Sequence, residues 1–129
     1  MLKVKTYIAE SKIPQAGLGC FAGEFIPKGK LIWEFDPRID RSYAESDILQ
    51  MDELTKEFIF KYSFKYRGTY YLCVDNAKFF NHSENPNTLD PLDSNRTYAL
   101  VDIQIGEEIV SDYSNFSDNS DDILFNTNF

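Results

Sequence analysis

The chain has 129 residues, of which 43% are hydrophobic and 26% charged, and it carries 13 basic and 21 acidic side chains for a net charge of −8. This composition predicts one globular domain and excludes two full-sized ones. No run of 18 apolar residues is present, which excludes a helical membrane span. The first 12 residues lack the apolar stretch of a secretory signal, so we expect an intracellular protein.

The cysteines and the histidine are too few for a metal module. Cys20 and Cys73 are the only cysteines and His82 is the only histidine. A Cys/His zinc site or a disulfide scaffold needs more of these residues. We therefore expect no metal, and we favour buried thiols over the alternative of a single Cys20–Cys73 bridge.

The acidic charge is concentrated near the C-terminus. No Lys or Arg follows Arg96, whereas seven Asp and Glu residues do. Nucleic acid is a poor partner for such a surface, because its binding depends on neutralising phosphates. A basic protein or peptide is a better partner, since acidic surfaces attract it. The alternative is that the acids only keep a small protein soluble.

The N-terminal half is predicted to contain three strands and a helical segment. Residues 4–8, 20–25 and 30–35 have strand composition, and the last two are separated by a Pro-Lys-Gly turn. Residues 42–61 have a helical pattern, with Ser42 as the cap of a short first turn and Asp52 as the cap of a second helix. Helical spacing also places a set of apolar residues on one face: Met51, Leu54, Phe58 and Tyr62.

The C-terminal half is predicted to be mostly short strands. Alternating aromatic residues on either side of Arg67–Gly68 predict a hairpin over residues 62–74. Residues 79–95 are too polar and turn-rich for regular structure, and strands follow at 97–103 and 109–110. Many short strands with one helical insert indicate a mainly β fold.

Gly17-Leu18-Gly19-Cys20-Phe21-Ala22 matches the glycine pattern of dinucleotide sites. That pattern is meaningful only between a buried strand and a helix, and here Pro14 and Gln15 precede it. This context argues against a dinucleotide site. The two glycines still permit close approach of the backbone to another group, although a simple loop is the alternative.

Two further segments are unusual. Residues 79–87, FFNHSENPN, place Asn81 beside His82 in a loop, where an Asn-rich turn is the simplest interpretation. Residues 106–113, GEEIVSDY, contain paired acids. Glu107 and Glu108 would point apart on a strand, which argues against acid–base chemistry by that pair.

In this order and spacing, the three segments resemble the SET-domain protein-lysine methyltransferases. The blocks that carry the resemblance are GLGCFAGEFIPKGKLIWEF, YLCVDNAKFFNHSENPNT and YALVDIQIGEEIVSDYSNF. The resemblance implies a mainly β, β-clip-like fold of several short sheets, with a helical insert at about 42–61 and a pseudoknot near the C-terminus. The SET domain would span residues 1–116, and residues 117–129 would form an acidic tail that completes the site.

The resemblance also implies the chemistry, which is methyl transfer from S-adenosylmethionine to a lysine amine without a metal. Tyr113 would be the catalytic residue and would also contact the cofactor. Ser111 and Phe116 would line the substrate channel, where a small Ser111 would allow di- or trimethylation. The other expected cofactor-binding residues are Ala16, Gly17, Leu18, Gly19, Tyr43, Asn81 and His82.

The sequence departs from the family pattern at several positions. Lys78 stands where Arg is usual, which keeps the charge but loses a planar bidentate donor. Glu84 replaces a usual Cys, and Cys-rich flanking modules are absent. Phe116, Phe125 and Phe129 in the tail are therefore candidates to cover the cofactor or wall the channel, and hydrophobic anchoring of the tail is the alternative for each.

The reaction requires a neutral amine. A free lysine has a pKa of about 10.4, so only about one in a thousand is neutral at pH 7. Burial in an apolar channel beside a sulfonium lowers that pKa. The aromatic content of 16% is consistent with such a channel.

Two alternatives remain open from the sequence. One is a catalytically inactive SET-like module that binds basic peptides, and the other is an acidic interaction protein that matches the motifs by chance. Histone or histone-like tails are the first substrate candidates. The oligomeric state is open between a monomer and a homodimer, and the expected compartment is the cytoplasm for a bacterial chain or the host nucleus for a viral one.

Overall fold

The computed structural model describes residues 1–115, with ten short strands and two α-helices in that part of the chain. The helices are α1 (Glu45–Ile48) and α2 (Glu53–Tyr62). The strands are β1 (Thr6–Glu10), β2 (Leu18–Ala22), β3 (Leu31–Glu34), β4 (Arg41–Ala44), β5 (Ser63–Tyr66), β6 (Thr69–Leu72), β7 (Asn81–His82), β8 (Thr88–Leu89), β9 (Arg96–Ala99) and β10 (Val110–Ser111).

The strands form four small sheets. Antiparallel β1 and β2 make one sheet, β3-β9-β8 and β4-β6-β5 make two three-stranded antiparallel sheets, and β7 pairs in parallel with β10. The predicted mainly β fold of several short sheets is confirmed, and so is the hairpin, which consists of β5 and β6 around a turn at Arg67–Gly68.

The core lies between the sheets rather than inside one of them. Cys20, Ile26, Ile32, Ile103 and Ile109 are fully buried or nearly so and belong to one hydrophobic cluster. Ile26 and Ile103 exchange backbone hydrogen bonds, which joins two connections outside the strands. The core therefore fixes the loops that follow β2 and β9 as firmly as the strands themselves.

The prediction of a helical insert over residues 42–61 is confirmed for its second part, which is α2, and is wrong at its start, which is strand β4. Asp52 caps α2 by accepting a hydrogen bond from the backbone N–H of Thr55 at 2.9 Å, as predicted. Ser42 does not cap a helix, because it lies in β4 opposite Tyr71 and the residue before α1 is Ala44, which makes no side-chain cap. Pairing with β6 decides this segment against its local helical pattern.

The predicted apolar face of α2 is only partly buried. Leu54 and Phe58 are 78% and 46% exposed, whereas Ile59 is the buried residue of the helix. The Phe58 and Tyr62 rings still contact each other, with centroids 5.0 Å apart. Helical spacing thus predicted the contact but not which face is covered.

The segment after β6 is more regular than its composition suggested. Residues Asn76–Phe79 form a turn of 3₁₀ helix, and strands β7 and β8 follow within the region predicted to be irregular. The prediction of irregular structure is correct for residues 83–87 and 90–95 and wrong for the two two-residue strands, because both strands pair with distant partners, β10 and β9. Local composition carries no signal for such pairings.

Two expectations from composition concern chemistry rather than architecture. Cys20 and Cys73 are free, buried thiols, as favoured from the sequence, and burial is the main reason that the pKa of Cys20 rises to about 12. Within residues 1–115, no helix has the length and apolar character that a bilayer crossing requires.

Candidate functional site

The parallel pair β7 and β10 brings the second and third motifs together. Asn81 lies opposite Val110, and His82 lies opposite Ser111. Ser83 N–H extends the pairing by donating to the Ser111 carbonyl at 2.9 Å. As a result, the chain reaches Tyr113 directly beside the Asn-His segment.

Tyr113 is held from both its backbone and its side chain. The hydroxyl donates a hydrogen bond to the Phe80 carbonyl, and the backbone N–H donates to His82 Nδ1 at 3.1 Å. His82 Nδ1 also lies 3.8 Å from the nearer carboxylate oxygen of Asp112. The tyrosine is buried, and burial is the main reason that the pKa of Tyr113 lies well above its usual value. The hydroxyl is therefore a neutral phenol.

Asn81 connects the glycine motif to the third motif. Its Nδ2 donates to the Leu18 carbonyl at 2.9 Å and to Glu108 Oε2 at 3.1 Å. Glu108 in turn accepts hydrogen bonds from Ser11 Oγ and from Lys12 N–H. The Asn81 amide nitrogen is thus fully used in holding the loop, while its Oδ1 makes no hydrogen bond with the described residues.

Gly19 permits this arrangement because it has no side chain. A Cβ at this position would lie 2.4 Å from Glu108 Oε2 and 3.3 Å from Asn81 Nδ2. Gly17, two residues earlier, has a φ of 77°, a conformation that L side chains rarely adopt. The close approach expected for the glycine pair therefore exists at Gly19, and it is made to side chains of the other two motifs.

Ser111 is buried in the same region. Its Oγ lies 3.0 Å from Thr88 Oγ1, and Thr88 Oγ1 donates to the Val110 carbonyl at 3.0 Å. Both hydroxyls have hydrogen-bond partners, so the small Ser111 side chain is buried without leaving an unpaired polar group.

A cavity of about 260 Å³ lies against these residues. Its apolar wall comes from the end of α2, the hairpin and the segment that leads into β7. Its polar wall comes from the residues between β8 and β9. Among the lining residues are Ala16, Leu18, Tyr62, Phe64, Phe79, Phe80, Asn81, Asp90, Thr97, Ser111 and Tyr113.

Lys78, which stands where the family usually has Arg, lines the cavity, and its ammonium lies close to three aromatic rings. Its ammonium lies 5.9, 5.6 and 5.4 Å from the ring centroids of Phe58, Tyr62 and Phe79. Cation–π attraction of this kind holds an ammonium without a carboxylate partner. The three rings therefore position Lys78 in place of the bidentate contacts that an Arg could make.

The structure brings most of the predicted site residues together. Five of them line the cavity: Ala16, Leu18, Asn81, Ser111 and Tyr113. Gly17, Gly19 and His82 are not among the lining residues, although His82 accepts a hydrogen bond from the Tyr113 N–H. Tyr43 lies on β4 opposite Tyr70 and is not among the residues that line the cavity. Phe116, Phe125 and Phe129 lie outside the described residues, so their predicted roles stay predictions.

Sequence reasoning missed two residues of this site. Glu108 was considered only as half of a catalytic acid pair, but it anchors the glycine loop and Asn81. Asp90 was not singled out at all, although it lines the cavity and burial raises its pKa to about 6. For Glu108 the Gly-Glu-Glu motif was a usable signal. For Asp90 there was none, because its position depends on the β8–β9 pairing.

No metal-binding arrangement is evident in the part of the chain that the structure describes. Residues 1–115 contain no group of three or more His, Cys, Asp or Glu side chains placed to hold an ion.

A family model described as "SET domain" matches residues 17–114. This match covers the glycine motif, the Asn-His segment and Tyr113. No curated protein sequence matches the chain.

Solved structures with the same fold include a Plasmodium falciparum protein assigned as a histone methyltransferase, with 24% identity, a TM-score of 0.58, and coverage of 87% of this chain and 95% of that one. Chaetomium thermophilum Polycomb Repressive Complex 2 bound to GSK126 shares 18% identity at a TM-score of 0.68, with 94% and 17% coverage. The ctPRC2 complex bound to S-adenosylmethionine shares 20% identity at a TM-score of 0.67, with 92% and 16% coverage. This chain thus spans about a sixth of the Polycomb chains, and these similarities establish the fold.

Proposed function

Because the chain belongs to the SET-domain family, we propose that it is a methyltransferase that moves the methyl group of S-adenosylmethionine to lysine side chains of a basic protein. The observation that carries this proposal is the meeting of the Tyr113 hydroxyl and the Phe80 carbonyl at the wall of the aromatic cavity, next to Asn81. These groups can orient an amine in a mainly apolar surrounding.

The residues present fit the cofactor. Asn81 Oδ1 is an acceptor with no partner among the described residues, and it suits the amino group of an amino acid. Ala16 lines the same cavity with a small side chain, and the backbone around Gly17 can contact the same end of the cofactor. His82 would contribute through its backbone. The bound cofactor supplies an electrophilic methyl group on a sulfonium.

Tyr113 acts in this proposal by positioning rather than by taking a proton. A phenol whose pKa is raised by burial is a poor base at pH 7. It can instead accept a hydrogen bond from the amine while it donates to Phe80, which fixes the direction of the amine lone pair. The aromatic walls lower the pKa of the amine by desolvation.

Histone tails are the first substrates to test. The net charge of −8 favours a basic peptide, and one of the structural relatives is assigned as a histone methyltransferase. Phe116 is retained as a candidate for the channel wall, and Tyr43 as a weaker cofactor contact.

The test is transfer of a labelled methyl group from S-adenosylmethionine to histone proteins and peptides. We expect incorporation on lysine, and we expect Tyr113→Phe to lower kcat by about 100-fold, because the amine is no longer held in line with the methyl group. Calorimetric affinity for S-adenosylhomocysteine should change much less in this variant, because the hydroxyl bonds to Phe80 rather than to Asn81.

Two outcomes would contradict the proposal. Binding of the cofactor without transfer to any basic protein would support the alternative, an inactive module for basic peptides. If S-adenosylhomocysteine does not raise the melting temperature of the chain, the proposed cofactor site is contradicted as well.

A further inference from the structure

Asp90 is a carboxylate at the cavity wall with one oxygen unused. It follows β8 directly, and its Oδ1 accepts a hydrogen bond from Thr97 Oγ1 on β9. Its Oδ2 is buried and has no hydrogen-bond partner among the described residues. Leaving such an oxygen unpaired is costly in a folded protein, so its presence needs an explanation.

The cations of the cavity do not explain it. In residues 1–115, three cations line the cavity. Arg96 pairs with Glu34. The ammonium of Lys61 lies 5.3 Å from the centroid of the Tyr62 ring, and the ammonium of Lys78 lies among aromatic rings. Within the described residues, Asp90 forms no ion pair. The charged group that acts on it is Asp112, whose negative charge raises the pKa of Asp90 further. Among the residues that the structure describes, this negative group of the cavity thus has no counter-ion.

Asp90 also lies on the same cavity as the proposed reacting end. Tyr113 and Ser111 line this cavity with it, and the negative charge of Asp90 contributes to the raised pKa of Tyr113. Such an effect needs the two side chains to be near each other.

We propose that the Asp90 carboxylate rotates to bring the buried Oδ2 to the cavity surface, accepts a hydrogen bond there from the ammonium group of the incoming lysine, and so selects a cationic side chain. This inference rests on the proposed function and identifies a specificity-determining residue for it. Lysine arrives almost entirely as ammonium at pH 7. The carboxylate pairs with that charge during binding, whereas an uncharged side chain of equal length leaves it unpaired. The ammonium loses its proton to solvent in a later step, before methyl transfer.

The experiment uses n-butylammonium, which is the lysine side chain alone, and 1-butanol as its uncharged counterpart. Binding of each to the full chain is followed by NMR, and the Asp90 carboxyl is titrated with and without n-butylammonium. We expect the cation to lower the pKa of Asp90, because a neighbouring positive charge favours the carboxylate. We expect 1-butanol to leave that pKa unchanged.

The test variant is Asp90→Asn, which keeps an Oδ1 acceptor for Thr97 and therefore preserves the fold. It should weaken n-butylammonium binding about ten-fold, as expected for a charged hydrogen bond. The matched comparison is Asp93→Asn, an identical change on the same cavity wall. The Asp93 side chain is 56% exposed and already pairs with Arg67 and Tyr66, so its effect should be clearly smaller.

Three results would overturn the inference: no binding of n-butylammonium to the unmodified chain, equal binding by the Asp90→Asn variant, or equal binding of 1-butanol. None of these measurements uses methyl transfer. An inactive chain that still binds n-butylammonium through Asp90 would refute only the proposed function, and an active chain that fails this test would refute only the role of Asp90.

Discussion

Single side chains set the geometry of the site through close contacts between distant motifs. Asn81, Glu108 and Gly19 form one such contact, in which the missing side chain of Gly19 leaves space for the Glu108 carboxylate. Glu108 cannot move aside easily, because Ser11 and Lys12 also bond to it. Substitutions at Gly19, Asn81 or Glu108 should therefore weaken cofactor binding more than they destabilise the whole fold.

Gly19→Ala should weaken cofactor binding. The added Cβ would lie 2.4 Å from Glu108 Oε2, so Glu108 and Asn81 must shift. We expect a loss of about 1–3 kcal/mol in the free energy of unfolding, as for other overpacked sites, and a clearly weaker calorimetric affinity for S-adenosylhomocysteine. Gly29→Ala is the control: it meets open space at a φ of +86°, so it should cost stability through strain while leaving that affinity unchanged.

Ser111→Tyr should shift the product toward monomethyl-lysine. Ser111 is 2% exposed and lines the cavity, so a tyrosine ring there must occupy space that a methylated amine would need. Mass spectrometry of the methylated peptide measures the ratio of products. Ser111→Ala, which stays small, should keep the distribution of the unmodified chain, and an unchanged distribution in the tyrosine variant would refute the steric argument.

Elements are stabilised here by local caps and by pairing with distant strands. α2 has ten residues, of which Ile59 is buried, and the Asp52 cap satisfies a backbone N–H of its first turn. The tail of α2 supplies Lys61 and Tyr62 to the cavity wall. Fraying of this helix would therefore loosen the wall as well.

Asp52→Ala should lower the free energy of unfolding by about 1 kcal/mol, the usual cost of losing an N-cap. The carboxylate accepts from both the backbone N–H and the hydroxyl of Thr55. Urea denaturation measures the change. Glu57→Ala, on the exposed surface of the same helix, removes an equal charge without a cap and should change the stability by less than about 0.5 kcal/mol.

Over the whole molecule, the charge of the cavity links stability to pH. Burial raises the pKa of Asp90 from 3.8 to about 6, so the native state holds this proton more tightly than the unfolded chain does. Stability from this group is therefore present at low pH and decreases as the pH rises from about 4 to about 6. A pKa difference of this size corresponds to roughly 2–3 kcal/mol in the free energy of unfolding.

Asp90→Asn should remove this loss. The variant should gain stability relative to the unmodified chain as the pH rises from 4 to 7, because only the unmodified chain must bury a charge there. Urea denaturation at both pH values gives the difference, in which the opposite contributions of other carboxylates, such as Asp52, cancel. A difference that is independent of pH would show that Asp90 ionises normally.

Much of the local structure could be predicted from the sequence. The hairpin around Arg67–Gly68, the cap at Asp52 and the buried thiols follow from turn chemistry, side-chain hydrogen bonding and composition, all of which act over a few residues. The order of the three motifs was enough to indicate the family, which the match over residues 17–114 confirms.

Only the tertiary structure decided how those motifs meet. The strand identity of Ser42, the two-residue strands β7 and β8, and the placement of Asp90 all depend on pairing between segments far apart in the chain. Such pairing is determined by the competition among all strands for partners, and no local pattern encodes it. The residue types of the site were therefore legible in the chain, whereas the unpaired Asp90 oxygen and the Glu108 anchor emerged only from the packing.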